Sequence, residues 1–345
     1  MAGERTSVPA RTALLLALLG GAMWLRMAVG RDPSTGALEW VWPDPAIGAL
    51  RAGAMWSAVV AGASLGLSGL LLQVLLRNPL ASPFVLGLSS GAGLGATLAA
   101  WAAGAAGVAG TGGWIAALVA TGAVQVLPAT AGALITLGIV LVLGMRRGVI
   151  EPVSMVLAGT VVAAICGAIT LLVQYAMPPA SRADAAIWFM GRVPELPDRA
   201  VLIAAIAVLA AAALWSGISA RTFDAASVSD DEARSLGVRL VTLRLGMYVA
   251  AGATAATSVA LCGPIAFVGF VAPHIARLLL GARHGPLVLG SVVAGALVLV
   301  VADVARQALD LGMGRMPVGV LTALVGGPAF LLVLRSSRLG YGSVP

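Results

Sequence analysis

Ser89 lies in the stretch Gly87-Leu88-Ser89-Ser90-Gly91, whose G-x-S-x-G spacing is that of a nucleophile elbow, and His274 and Asp303 stand elsewhere as a base and an acid. Together they would describe an intramembrane serine hydrolase. An elbow, however, needs a sharp turn from strand to helix to present its hydroxyl. Here the five residues follow the proline turn "RNPLASP", residues 77–83, and open a glycine-rich helix, where small residues serve close helix contact. His274 and His284 both map to the end of one helix or the loop after it, where a structural role outweighs metal or haem ligation. Asp303 and Arg306, three residues apart on one helical face, have the spacing of a pair. An ionisable residue inside a membrane span is still a functional candidate by default. Cys166 and Cys262 fall in apolar runs without metal spacing, so no metal site is expected.

The elements that position these residues follow from composition. Hydrophobic residues make up 60% of the 345 and charged residues only 10%, where soluble domains carry about 25% charge. Apolar runs of roughly 20 residues, the length of a bilayer span, recur along the whole chain. Long unbroken runs of Ala, Leu, Val and Gly exclude a barrel, whose strands alternate. The chain reads as an all-α polytopic membrane protein forming a single domain over residues 1–345. The formal charge of +7 does not point to nucleic acid, because the arginines are scattered singly between apolar runs. All 21 basic residues are arginine, so a Walker A loop with its lysine is excluded.

Ten spans are expected, near residues 12–30, 48–76, 84–104, 114–144, 152–176, 200–217, 243–261, 264–280, 286–308 and 316–335. The N-terminus, with Arg5 and Arg11 before "TALLLALLGGAMWL", has the look of a secretory signal peptide. Arg26 and the lack of a small-residue cleavage site favour a retained first helix. A short interfacial helix is expected around Trp188, and Trp40 and Trp42 are placed at interface depth. Eight arginines (26, 31, 51, 182, 192, 199, 306 and 315) then fall outside and the other thirteen inside, with both termini cytoplasmic. The seventh and eighth spans are the tightest, since "GPIAFVGF" must turn the chain between them.

The stretch "SVSDDEARSLGVRL", residues 227–240, is a charged island in this apolar chain. Ser229 and Glu232 have capping-box spacing, Asp230 and Asp231 favour a helix N-terminus, and Gly237 suits a C-terminal stop, so a short helix is expected near 230–236. It reads equally as a solvated loop with a capped turn or as a docking knob carrying Ala233, Leu236 and Val238.

The segments "LCGPIAFVGFVAPHIARLLLG", "RNPLASPFVLGLSSGAGLGA", "ADVARQALD" and "MPVGVLTALVGGPAFLLVL", with the island, resemble the FecCD-like permease subunits of type II ABC importers for iron-siderophores, haem and cobalamin. The resemblance extends from about residue 48 to 335. It implies a homodimer of ten-helix subunits in a bacterial cytoplasmic membrane. It also implies two ATP-binding cassette subunits that hold ATP and magnesium, no cofactor in this chain, and a periplasmic or lipid-anchored binding protein that delivers substrate. In that family the loop matching residues 221–241 forms coupling helices, which assigns Ala233, Leu236, Gly237 and Val238 to ATPase contact. The cytoplasmic gate is expected at Val149, Ile150, Glu151 and Ser154, with Glu151 available either to pair with Arg146 or Arg147 or to repel an anionic substrate until the site opens. Docking of the binding protein is expected at Arg51 and Arg306, although "RAGA", residues 51–54, departs from the family's R-x-P-R.

For the cargo, Arg182 and Arg192 on the external segment suit an anionic iron complex, because guanidinium groups form bidentate bonds to carboxylates. Anchoring of the loop at lipid headgroups is the competing role for both arginines. Tyr175, Met177, Trp188 and Met190 would add apolar contacts for a flat macrocycle. Haem stands slightly ahead of a ferric siderophore, with cobalamin as the alternative. An ion-coupled secondary transporter is poorly supplied, since Asp303 alone offers an acid between helix ends.

Overall fold

The computed structural model describes residues 7–31, 38–40, 42–105, 123–146, 149–309 and 316–340. The chain is almost wholly helical, as the composition requires. Its long helices are α1 (Val8–Ala28), α2 (Pro45–Leu75), α3 (Leu88–Ala105), α4 (Ala123–Gly144), α5 (Pro152–Ala176), α7 (Arg199–Ile218), α10 (Leu240–Cys262), α12 (His284–Ala308) and α13 (Val318–Gly340). Shorter helices are α6 (Pro179–Phe189), α8 (Ala220–Val228), α9 (Asp230–Ser235) and α11 (Val268–Leu280). Two small antiparallel pairs complete the elements: β1 (Val29–Arg31) with β2 (Leu38–Trp40), and β3 (Met145–Arg146) with β4 (Val149–Ile150).

Seven helices among the described residues are long and apolar enough to cross a membrane, and α11 and the apolar part of α13, Val318–Leu331, are shorter. The expected spans map onto α1, α2, α3, α4, α5, α7, α10, α11, α12 and α13, and the short helix expected around Trp188 is α6. The first nine residues of the expected fourth span lie outside the described residues. The tight turn between α10 and α11 is made by Gly263 and Phe267, both in the left-handed region at φ of 71° and 66°. It uses residues 263–267, so α11 is a 13-residue helix rather than a full span.

The core centres on α2, a 31-residue helix about 46 Å long whose membrane-spanning window is almost entirely buried. Its sequence explains why neighbours approach so closely. Gly62, Gly66 and Gly69 share one face at i, i+4 and i+7, and a side chain there would meet the backbone carbonyls of Gly295, Ser291 and Gly269 respectively. Hydroxyl groups tie the same helix to α10: Ser68 Oγ donates to Ala251 O at 2.7 Å, and Ser258 Oγ donates to Ala61 O at 3.2 Å. Gly69→Ala is expected to cost about 1–3 kcal/mol, as overpacking against immovable backbone does. The thermal midpoint in detergent checks this, and an unchanged midpoint would show that α2 and α11 can separate freely.

The packing also sorts the polar residues to two ends. One end holds the C-termini of α1, α10 and α12 with the N-terminus of α2. The other holds the C-termini of α2 and α11 with α8, α9 and the N-termini of α10 and α12, and there Arg11 donates to Leu279 O.

Candidate functional site

The charged island folds as the sequence requires. Ser229 caps α9, its hydroxyl accepting from the Glu232 N–H at 3.0 Å, and the first turn carries Asp230, Asp231 and Glu232 where the helix dipole favours acid. Gly237 ends it at φ 79°, with the Gly237 N–H donating to Arg234 O and the Val238 N–H donating to Ala233 O. What fixes this helix on the body of the protein was not readable locally. Asp230 accepts from Arg77 at the end of α2 and from Arg244 in α10, the latter at 2.8 and 3.0 Å. Arg77 also donates to Ala226 O on α8, and Arg244 donates to Ile150 O of β4.

A second tie joins α8 to α12. The Asp224 carboxylate accepts from the His284 N–H at 3.0 Å and lies 2.6 Å from His284 Nδ1, while Phe223 packs edge-on between Trp215 and His284. His284 is therefore structural, as expected, and its role is to hold the α8 and α9 pair against the start of α12.

These restraints leave an apolar tip. Leu236 is 67% exposed and Val228, at the other end of the pair, is equally exposed. Val238 is half-buried against the core and Gly237 is exposed. Ala233 corrects the sequence reading: it is fully buried within its own subunit and belongs to the core, so it contributes no docking surface. Val228 takes its place on the outside. The spacing of Ala233 and Leu236 on one short helix concealed this, because the pair packs down through Ala233 and the Gly237 turn swings Leu236 outward.

The expected gate is a two-residue hairpin. Met145 pairs with Ile150 and Arg146 with Val149, the Glu151 N–H donates to Gly144 O, and Ser154 Oγ donates to Glu151 Oε2 at 2.6 Å. The side chains of Val149, Arg146 and Arg147 lie outside the described residues, so the anticipated Glu151 pairing does too. Ile150 is 1% exposed and packs inward, which removes it as a constriction-lining residue.

At the opposite end the docking expectation is corrected at Arg306. Its guanidinium is buried and paired to Asp303, which is fully buried on α12. The other Asp303 oxygen accepts from Arg26 of α1, itself 1% exposed. With the Gln307 amide turned to donate to Val29 O, its oxygen accepts from Arg26 at 2.8–2.9 Å. Arg26, read from the sequence as an outward-facing end of the first span, is thus part of a buried two-arginine, one-aspartate cluster. Arg51 is half-buried and donates to Met27 O at 2.6 Å across the face of Gly30.

Along the external segment, Arg192 is exposed, and its backbone N–H donates to Cys262 O at 2.7 Å. Arg182 is exposed and donates to the carbonyls of Tyr175 and Met177 at 3.2 and 3.1 Å, capping the end of α5. Tyr175 and Met190 face outward. Trp188 and Met177 do not: both are buried, and Trp188 packs edge-on to Phe189 in the core. Ser89 follows a 3-10 turn, Pro83–Leu86, and a left-handed Gly87 at the start of α3, with no strand before it. The hydrolase geometry is absent among the described residues. They also contain no group of His, Cys, Asp and Glu able to hold a metal.

Comparison with known proteins agrees with this architecture. Residues 13–336 match the FecCD transport family. The vitamin B12 import system permease protein BtuC of Salmonella typhimurium is 33% identical over 329 residues, covering 94% of this chain and 92% of that protein. An ABC transporter permease protein of Methanocaldococcus jannaschii is 33% identical over 286 residues, covering 83% of this chain and 80% of its own. Among solved structures, a metal-chelate type ABC transporter in an inward-facing conformation superposes with a TM-score of 0.78 at 24% identity, covering 95% of this chain and 99% of that one. The chain belongs to the FecCD transport family and is a multi-pass permease subunit of a type II ABC importer.

Proposed function

We propose that two copies of this chain enclose an uptake pathway for a metal chelate, with α8 and α9 seated on two ATP-binding cassette subunits and a binding protein delivering cargo at the opposite end. The observation that carries the coupling role is the exposed Leu236 and Val228 tip on a helix pair clamped by Asp230 and Asp224. A rigid clamp with an apolar end transmits a push, where a loose loop would absorb it. In this reading the termini lie on the ATPase side, and the hairpin at Val149 to Ser154 gates the pathway through Glu151 and Ser154.

The cargo proposed is an anionic iron complex, haem ahead of a ferric siderophore. Arg192 supports it, being an exposed guanidinium flanked in sequence by the outward-facing Met190 at the end that carries the C-terminus of α10. Arg182 contributes less, since its guanidinium is engaged by the end of α5. Cobalamin is the second reading, favoured by the Salmonella permeases at 33% identity. Proteoliposome uptake of haem, a ferric siderophore and cobalamin separates these. Arg192→Ala is expected to lower haem uptake by about tenfold, the equivalent of one charge-assisted bond. A wild-type preference for cobalamin, or full haem uptake by the variant, overturns the haem assignment.

A further inference from the structure

Helix α11 carries a polar face that neither the coupling clamp nor the outer cluster uses. Phe270, His274 and Arg277 stand at i, i+4 and i+7 and so share one side of the helix. Phe270 meets the His274 ring in a tilted arrangement at a centroid distance of 4.6 Å and meets Phe330 of α13 edge-on at 4.8 Å, which turns this face toward α13. His274 Nδ1 lies 3.0 Å from Phe270 O, so that nitrogen bears the proton and Nε2 is left without a partner among the described residues. Arg277 Nη1 is buried and, among the described residues, has no hydrogen-bond acceptor. Among the described residues no carboxylate lies within ion-pair distance of Arg277.

An arginine in the last turn of a helix ordinarily serves the final carbonyls. That role is not what holds Arg277. The α11 C-terminus is closed by the Gly281 N–H donating to Arg277 O, and a helical side chain leans back over the preceding turn, here toward His274. A buried guanidinium N–H without an acceptor is unfavourable, and an anion would supply both the acceptor and a balancing charge for this half-buried arginine. We propose that Arg277, with His274 beside it, forms an oxyanion site at the end of α11 nearest the coupling helices. It would receive a phosphate or carboxylate group in bidentate fashion. The location follows from His284, seven residues after Arg277, which is bonded to Asp224 of α8.

Two sources carry that chemistry at this depth: a lipid headgroup phosphate, and a carboxylate on the cargo as it leaves the pathway. The site itself does not depend on the cargo proposed above, and the test separates the two. The transporter purified with its ATPase subunits is titrated with dihexanoyl phosphatidylglycerol, with haemin and with inorganic phosphate, following tryptophan fluorescence and the thermal midpoint. At least one probe is expected to bind wild type and to lose about tenfold or more in affinity with Arg277→Gln. Dependence on phosphatidylglycerol assigns the site to lipid, and dependence on haemin assigns it to cargo. Dependence on phosphate alone retains the oxyanion chemistry without either carrier. If no probe distinguishes a folded Arg277→Gln from wild type, the site does not exist. Should that variant fail to fold, Arg277→Lys carries the test. It keeps the charge and loses the planar fork, so several-fold weaker binding is expected, and undiminished affinity overturns the proposal.

Discussion

Asp303→Ala is expected to be the most destabilising single substitution in this subunit, by about 3–5 kcal/mol, because it strands two buried arginines. Asp303 is fully buried and each of its oxygens accepts from a different guanidinium, Arg26 of α1 and Arg306 of its own helix. Losing the carboxylate leaves two like charges close together, both almost wholly buried. Gln307 can accept from Arg26 but carries no charge to offset either. The pair cannot simply turn outward, since Arg26 is held between α1 and α12. Detergent-solubilised protein unfolded in a mixed-micelle denaturant series reads the loss directly. Asp303→Asn keeps the shape and removes the charge, and is expected to cost nearly as much as alanine. Combining Asp303→Leu with Arg26→Met and Arg306→Met should recover most of it, because replacing a whole buried ionic cluster by apolar residues is often close to neutral. A single Asp303→Ala change within about 0.5 kcal/mol of wild type would mean that the cluster is water-filled and screened.

The contrast between that cluster and the island explains what the sequence could reveal. The α9 cap is local: Ser229 and Glu232 are three residues apart, so the hydrogen bond is written in adjacent letters. The same holds for the proline turn before α3 and the short helix α6, whose signals lie within one or two turns of chain. Span positions were legible because burial in lipid demands apolar length. Arg26 and Asp303, by contrast, are 277 residues apart, and nothing near Arg26 distinguishes a buried partner from an interfacial anchor. The Arg77, Asp230 and Arg244 clamp was hidden for the same reason, since Arg77 read as a topology signal and Asp230 as a helix-dipole acid. Ala233 shows a subtler failure. An apolar residue beside an exposed leucine on a six-residue helix can face either way, and only the Asp230 clamp decides which side packs down. The family resemblance placed Arg306 at a docking surface, where this chain, pairing it with Asp303, buries it.

Leu236→Asp is expected to abolish productive association with the ATPase subunits while leaving the permease folded. Leu236 is 67% exposed, follows the last residue of α9 and precedes the left-handed Gly237, so its side chain is held outward by backbone geometry and contributes little to the subunit's own core. Its burial in a partner cleft would remove apolar surface worth about 1.5–3 kcal/mol per copy, and the proposed homodimer would present two copies. An aspartate there loses that gain and adds a charge to be desolvated, so association should weaken by at least about a hundredfold. The clamp's own hydrogen bonds, among Asp230, Arg77 and Arg244, do not involve this side chain. A reciprocal variant sharpens the reading. Asp230→Ala should leave the tip chemically intact but unfasten α9 from α2 and α10, so the ATPase would still bind while hydrolysis no longer drives uptake. Co-purification of the complex, ATPase rate and proteoliposome uptake measured on both variants give two distinct patterns. If Leu236→Asp co-purifies with its ATPase and transports at the wild-type rate, the charged island is a solvated loop and coupling enters the membrane elsewhere.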